Sequence, residues 1–234
     1  MKIFRRIISK LLHEFHIYVA NYFPVKGKVL MLHWVGDEIQ DKETEPFRIS
    51  TKQFNSLIQW LKKKNIIRLE NWKNEEYFYA LTIDDVPENF YLNAYPMLKN
   101  MGIPFTLFVN VSLLDKEGFI SKEQLLEMSQ CEFCTIGSHG VNHGEFTLLN
   151  KKQALQDLQD SKHILEQIIG KPVELYAYPY GSYYACGYRN KHLARDVYKY
   201  AFGTVACPIT VPLLLKKYFL PRIIVDVKFF NKFL

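Results

Sequence analysis

The sequence has too few cysteines to be held together by them. Cys131, Cys134, Cys186 and Cys207 are the only four in 234 residues, which excludes a disulfide-dense scaffold. Cys131 and Cys134 form a CxxC, but a zinc ribbon needs a second pair at similar spacing and none exists. The pair reads as two small apolar residues leading into a buried strand, with a redox pair as the alternative. Linkers, low-complexity tracts and internal repeats are also missing, so one large domain is expected. No basic run is interleaved with aromatics and no nucleic-acid motif occurs, so no nucleic-acid partner is expected. Charge of one sign is in small excess: 30 basic against 24 acidic residues give +6, a weak preference for anionic neighbours.

What the chain does have is aromatic rings, 15% of residues. These serve a core first and sugar faces second. It also opens on a basic amphipathic segment, residues 1–27 with its connector. Phe4, Ile7, Ile8, Leu11, Leu12, Phe15 and Val19 recur at helical spacing among Lys2, Arg5, Arg6 and Lys10. Lys10, His13 and Glu14 interrupt the apolar stretch, and no small-residue cleavage site is clear. The segment is too short and too charged to span a bilayer. It either packs on the domain as an extra helix or lies on an anionic membrane surface, with a degenerate export signal as a third reading. A cytoplasmic protein, membrane-associated or not, is the expectation.

Residues 28–234 alternate apolar runs with helical patterns. Strands are expected at Val29–Leu32, Tyr79–Ile83, Pro104–Val109, Cys134–Gly137 and Val173–Tyr178, with shorter units at Tyr200–Val205 and Leu220–Val225. Between them, Ser50 or Thr51 caps one helix. A second follows Pro87 and starts late or kinks at Pro96. Ser121 with Gln124 opens a third. Asn150 caps a long helix over Lys151–Ile169 that Gly170 stops. This alternation implies a parallel sheet, barrel or doubly wound, with any site at the C-terminal strand ends.

Four strand ends carry residues with chemistry. One runs into Asp84-Asp85, where adjacent carboxylates repel unless a cation or solvent relieves them; a helix cap ahead of Pro87 explains one aspartate but not two. Another runs into Ser138-His139-Gly-Val-Asn-His143, two histidines four apart, as on one face of a helical turn. A third runs into Pro179-Tyr180-Gly181-Ser182, where glycine permits close approach of a ligand to backbone. The fourth ends in His33, which alone reads as a structural histidine. Together, one carboxylate and two imidazoles form a borderline metal set with open coordination positions. A second carboxylate stands ready as a base and a further histidine as an acid.

In this order the motifs resemble those of the polysaccharide deacetylase family, carbohydrate esterase family 4. Thr82-Ile83-Asp84-Asp85-Val86 is similar to the family's Thr-Phe-Asp-Asp-Gly, His139 to His143 to its His-Ser/Thr-x-x-His, and Pro179-Tyr180-Gly181 to its third motif. The resemblance implies a distorted (β/α) barrel, usually of seven strands. It implies that Asp85, His139 and His143 bind a divalent metal, most simply zinc, that Asp84 is the base, and that the N–H of Tyr180 helps hold the oxyanion. Three positions depart from the pattern. Val86 replaces a glycine, Gly140 a hydroxyl residue, and Ala177 an arginine that contacts the base; Arg222 is the candidate to supply that charge, with a surface cation as its plainer reading. The usual C-terminal Leu-x-x-His is absent after Val225, but Leu30-Met31-Leu32-His33 matches it, as in circularly permuted members. His33 is then the candidate general acid.

The reaction so implied removes N-acetyl groups from amino sugars of an oligo- or polysaccharide. Two rivals are a glycan-binding module that has lost turnover and a metal-dependent amidohydrolase of a small non-sugar amide.

Overall fold

Seven parallel strands, most of them buried, decide the architecture of the described residues. The computed structural model describes residues 2–38, 45–186, 191–214, 217–227 and 229–230. In chain order it contains α1 (Lys2–Tyr22), β1 (Val25–Leu32), β2 (Trp34–Val35), β3 (Arg48–Ile49), α2 (Thr51–Leu61), β4 (Phe78–Asp84), α3 (Glu88–Asn93), α4 (Tyr95–Met101), β5 (Phe105–Val109), α5 (Lys122–Ser129), β6 (Cys134–Ser138), α6 (Lys151–Ile169), β7 (Leu175–Ala177), α7 (Tyr183–Cys186), β8 (Tyr200–Phe202), β9 (Ile209–Thr210), α8 (Val211–Leu214) and β10 (Ile223–Ile224). The main sheet runs β10-β1-β4-β5-β6-β7-β8, parallel throughout, with β9 antiparallel on β1. The stretch leading into β10 also touches the far edge, through a parallel bridge from Phe202 to Leu220. The sheet therefore curls into a distorted barrel in which β1 stands beside the last strand.

Strand periodicity splits the core in two. Leu30, Leu32, Leu81, Ile83 and Leu107 join the layer between sheet and helices. Val29, Phe78, Ala80, Phe108, Leu175, Ala177, Tyr200, Phe202 and Leu220 fill the interior of the barrel with Trp72, Ile67 and Leu69. The interior is a packed core and not a pore. Continuing the same inward phase upward gives Thr82 and Asp84 on β4, His33 after β1, and Arg222 beside β10. The catalytic candidates are thus the top layer of the barrel interior.

Local signals hold where the sequence places them. Ser50 with Gln53, Ser121 with Gln124, and Asn150 with Gln153 each form a reciprocal capping box. Gly170 ends α6 in the left-handed conformation. The helix after Pro87 breaks at Ala94, leaving Pro96 in the first turn of α4 where it costs no hydrogen bond. Neither Asp84 nor Asp85 caps α3, whose N-cap is Pro87. Cys134 opens β6 buried, Cys131 is half-buried, and all four cysteines are free thiols. Burial holds the Cys134 thiol well above its ordinary range, which fits a packing residue and not a redox nucleophile.

Candidate active site

Register brings the motifs together before any side chain is considered. Leu32 pairs with Ile83, so His33 stands level with Asp84 across neighbouring strands. Asp84 pairs with Phe108 on β5, and Val109 pairs with Ser138, which precedes His139. Among the described residues, four of the five non-glycine residues with positive φ lie in these loops: Asp85 (61°), Val86 (52°), His143 (51°) and Tyr180 (59°). Such backbone is costly for L-residues, Val86 above all because it is β-branched. The Val86 side chain is fully buried and its N–H reaches back to the Asp84 carbonyl at 2.7 Å. Packing thus holds the sharp turn that follows the two aspartates.

Asp84 is buried and clamped. Arg222 Nη1 donates to Asp84 Oδ1 at 2.6 Å and Nη2 donates to Oδ2 at 2.7 Å. The same guanidinium donates from Nε to the Gly203 carbonyl and from Nη1 to the Thr82 hydroxyl, and lies over the Phe108 ring. Arg222 is 0% exposed, so the surface-cation reading fails. Burial pushes the Asp84 carboxyl up, but Arg222, His139 and His33 together bring it down to about 2. Asp84 is therefore a fixed, ionised carboxylate at neutral pH.

Asp85 shares His139 with Asp84: His139 Nε2 lies 3.8 Å from Asp84 Oδ2 and 3.9 Å from Asp85 Oδ1. Asp85 Oδ1 is buried without a hydrogen-bond partner among the described residues. It also lies 3.6 Å from His143 Nε2. Burial raises the Asp85 carboxyl, with Asp84 adding to the push and His139 and His33 opposing it. His139 Nδ1 lies 2.8 Å from the Ala177 carbonyl, which accepts its proton and leaves the Nε2 lone pair toward Asp85. Burial depresses both imidazoles below their ordinary range, favouring the neutral, ligating form. Asp85, His139 and His143 each turn one donor atom to a common point, all within 4.8 Å of one another. Donors roughly 2.0–2.2 Å from one ion can lie up to about 4.4 Å apart, so the 3.6 and 3.9 Å separations suit a single cation. An orphaned carboxylate oxygen facing two neutral imidazoles is the donor set of a divalent transition metal.

Two local readings of the sequence need correction. His139 to His143 is not a helical turn. Gly140 at φ 82° and His143 at φ 51° fold it into a loop that still sets the rings 5.1 Å apart. Nor does Gly181 make room for a ligand: a Cβ there would lie 2.1 Å from Thr204 Oγ1, because the Thr204 N–H bonds the Gly181 carbonyl at 2.7 Å. Its glycine serves loop packing.

Tyr180 is exposed at the rim, its ring 4.7 Å from that of His143. His33 is half-buried, its ring 5.2 Å from Phe47. All seven candidates thus lie at one end of the barrel. One contributor the sequence does not announce is Asp157 on α6. Its carboxylate accepts the Val141 N–H at 3.2 Å, and a Cβ on Gly140 would come within 2.9 Å of its Oδ2. Asp157 thus ties down the loop between the two histidines, and Gly140 makes space for it. A lone aspartate on the polar side of an amphipathic helix carries no sequence signal of this.

The polysaccharide deacetylase family model matches residues 73–193, more than half of the chain. A poly-β-1,6-N-acetyl-D-glucosamine N-deacetylase of Staphylococcus aureus is 27% identical over 183 residues, 69% of this chain and 63% of that one. The chain thus spans less than two thirds of that relative's length. Among solved structures, a polysaccharide deacetylase from Bacillus cereus superposes with a TM-score of 0.77 at 22% identity, covering 88% of this chain and 67% of the other. The deacetylase PplD of Streptococcus pyogenes gives 0.73 at 23% identity, covering 87% and 93%. These structural likenesses bear on the fold.

Proposed function

The chain belongs to the polysaccharide deacetylase family, and from that premise we propose that it is a metal-dependent hydrolase that removes N-acetyl groups from amino sugars of an oligo- or polysaccharide. The observation that carries the reading is the division of labour between adjacent aspartates. Asp85 meets two neutral imidazoles at one point, while both oxygens of Asp84 are taken by a buried arginine.

Asp85, His139 and His143 would hold the cation, and zinc suits two imidazoles and a carboxylate, with other divalent ions also fitting. The chemistry such an ion supplies is that of a Lewis acid, polarising a carbonyl and acidifying water. The rest is done by the chain. Asp84, ionised and locked in orientation by Arg222, takes a proton from the attacking water. The N–H of Tyr180 stabilises charge on the acetamide oxygen, a contribution of about 3–4 kcal/mol for a well-aimed donor. His33, level with Asp84 across the strands, gives a proton to the departing amine. Water and an acetamide leave as acetate and a free amino sugar. Exposed Tyr180 offers a ring face to a sugar at the rim.

The three departures from the family's motifs have counterparts in the structure. Arg222 stands on Asp84 where Ala177 leaves no arginine. Asp157 braces the loop that Gly140 opens. Val86 takes the turn that a glycine would. These favour an active enzyme over a binding module. The relative from S. aureus makes a β-1,6-linked N-acetylglucosamine polymer the first substrate to try.

The test is acetate release from N-acetylglucosamine oligomers by wild type and Asp84→Asn, with a simple acetamide as control. A loss of about 10²–10⁴-fold in the variant is expected for a lost acid–base group. Equally poor release by both proteins contradicts an enzyme. Preference for the simple amide moves the substrate away from sugars.

A further inference from the structure

The amphipathic helix at the start of the chain buries only one edge of its apolar stripe, with Ile8, Leu12 and Val19 half-buried. α1 packs on the domain through that side, where His16 is 0% and Ala20 is 3% exposed. His16 Nδ1 lies 2.9 Å from the Tyr183 hydroxyl on α7. The outward face carries Phe4, Ile7, Leu11, Phe15, Tyr18 and Tyr22 at three- and four-residue intervals. Leu11 remains 59% and Phe15 55% exposed. A contiguous apolar stripe on a folded surface marks a contact site.

Charge decides which contact. The helix carries Lys2, Arg5, Arg6 and Lys10 against one acid, Glu14, and Glu14 is already within 3.9 Å of Lys10. Arg6 lies on the flank toward α7, 5.9 Å over the Tyr184 ring, and Arg6 and Lys10 are both exposed. An anionic lipid surface would attract them, while the apolar side chains enter the headgroup boundary. Tyr18 and Tyr22, at the far end of the stripe, are the amphipathic rings that favour that boundary. No helix among the described residues is long and apolar enough to cross a membrane, so the helix would lie on the surface. We infer that α1 is a docking face for an anionic lipid bilayer. Because α7 begins two residues after Gly181, the anchor and the rim of the candidate site belong to one packed unit.

The experiment is sedimentation of the full chain with vesicles of phosphatidylcholine alone or mixed with phosphatidylglycerol, at low and high salt. Wild type should pellet with the anionic vesicles and be released by salt. Arg6→Gln with Lys10→Gln should weaken binding about fivefold per charge removed. Leu11→Asp with Phe15→Asp should weaken it by at least about a hundredfold. Both of those side chains are more than half exposed, so an unchanged melting temperature and circular dichroism spectrum show that the fold survives. Equal pelleting with both vesicle types, or unchanged binding by the apolar variant, overturns the inference. So does a concentration-dependent dimer that the apolar variant dissolves, which would make the face an interface between copies.

Discussion

Each end of the barrel holds an arginine on a carboxylate, and the two pairs differ in everything but chemistry. At the base, Arg68 Nε lies 2.8 Å from Glu70 Oε1, with side chains 39% and 22% exposed. The Thr135 hydroxyl donates to Glu70, and Arg68 also donates to the Glu132 carbonyl. Water screens this pair, and it lashes a loop to the start of β6. At the top, Arg222 and Asp84 are 0% and 3% exposed, bidentate, and ringed by loops whose backbone is held at positive φ. Desolvation makes the upper pair costly to build and costlier to halve. It also keeps a carboxylate ionised and aimed beside a candidate metal centre. A fold maintains such an arrangement where geometry must be held against its own cost.

Replacing each arginine breaks the comparison most sharply. Arg222→Met should destabilise the protein by about 3–5 kcal/mol, because Asp84 is left as an uncompensated buried charge. Acetate release should fall with it. Equilibrium denaturation with urea measures the first effect, and a loss under about 1 kcal/mol would show that the pair is not the strut it looks. Asp157→Ala acts at one remove from the candidate metal ligands. Zinc affinity should drop about 10–100-fold, read by competition with a chromophoric chelator. Acetate release should recover at saturating zinc, because no reacting group is touched. Unaltered affinity would mean that the His139–His143 loop holds itself. The smallest effect is expected at the base: Arg68→Met should cost at most about 1 kcal/mol and leave acetate release unchanged.

Much of this was legible in the sequence, for local reasons. The helix caps at Ser50, Ser121 and Asn150 and the glycine that ends α6 are written in residues three or fewer apart, and there expectation and structure agree. Strand-to-loop transitions are similarly local, so Asp84, Asp85, His139, His143, Tyr180 and His33 all surface as strand-end residues. What the sequence could not show is set by distance along the chain. Arg222 meets Asp84 across 138 positions, and nothing near either residue distinguishes a buried clamp from a surface cation. Asp157 reaches its loop from a helix face that looks merely solvated. Spacing of four suggests a helical turn at His139–His143, but Gly140 and a neighbouring carboxylate impose a loop. For α1, periodicity reveals an apolar stripe without saying which side the domain takes. His16 and Ala20 settle that through contacts with residues far down the chain.

The central claim is that Asp85, His139 and His143 share one divalent ion. Metal analysis of the purified chain, dialysed against limiting zinc, compares wild type directly with Asp85→Ala. The account predicts close to one equivalent of zinc in wild type and a small fraction of that in the variant, with the fold intact. Equal zinc in both proteins, or none in wild type, would contradict it.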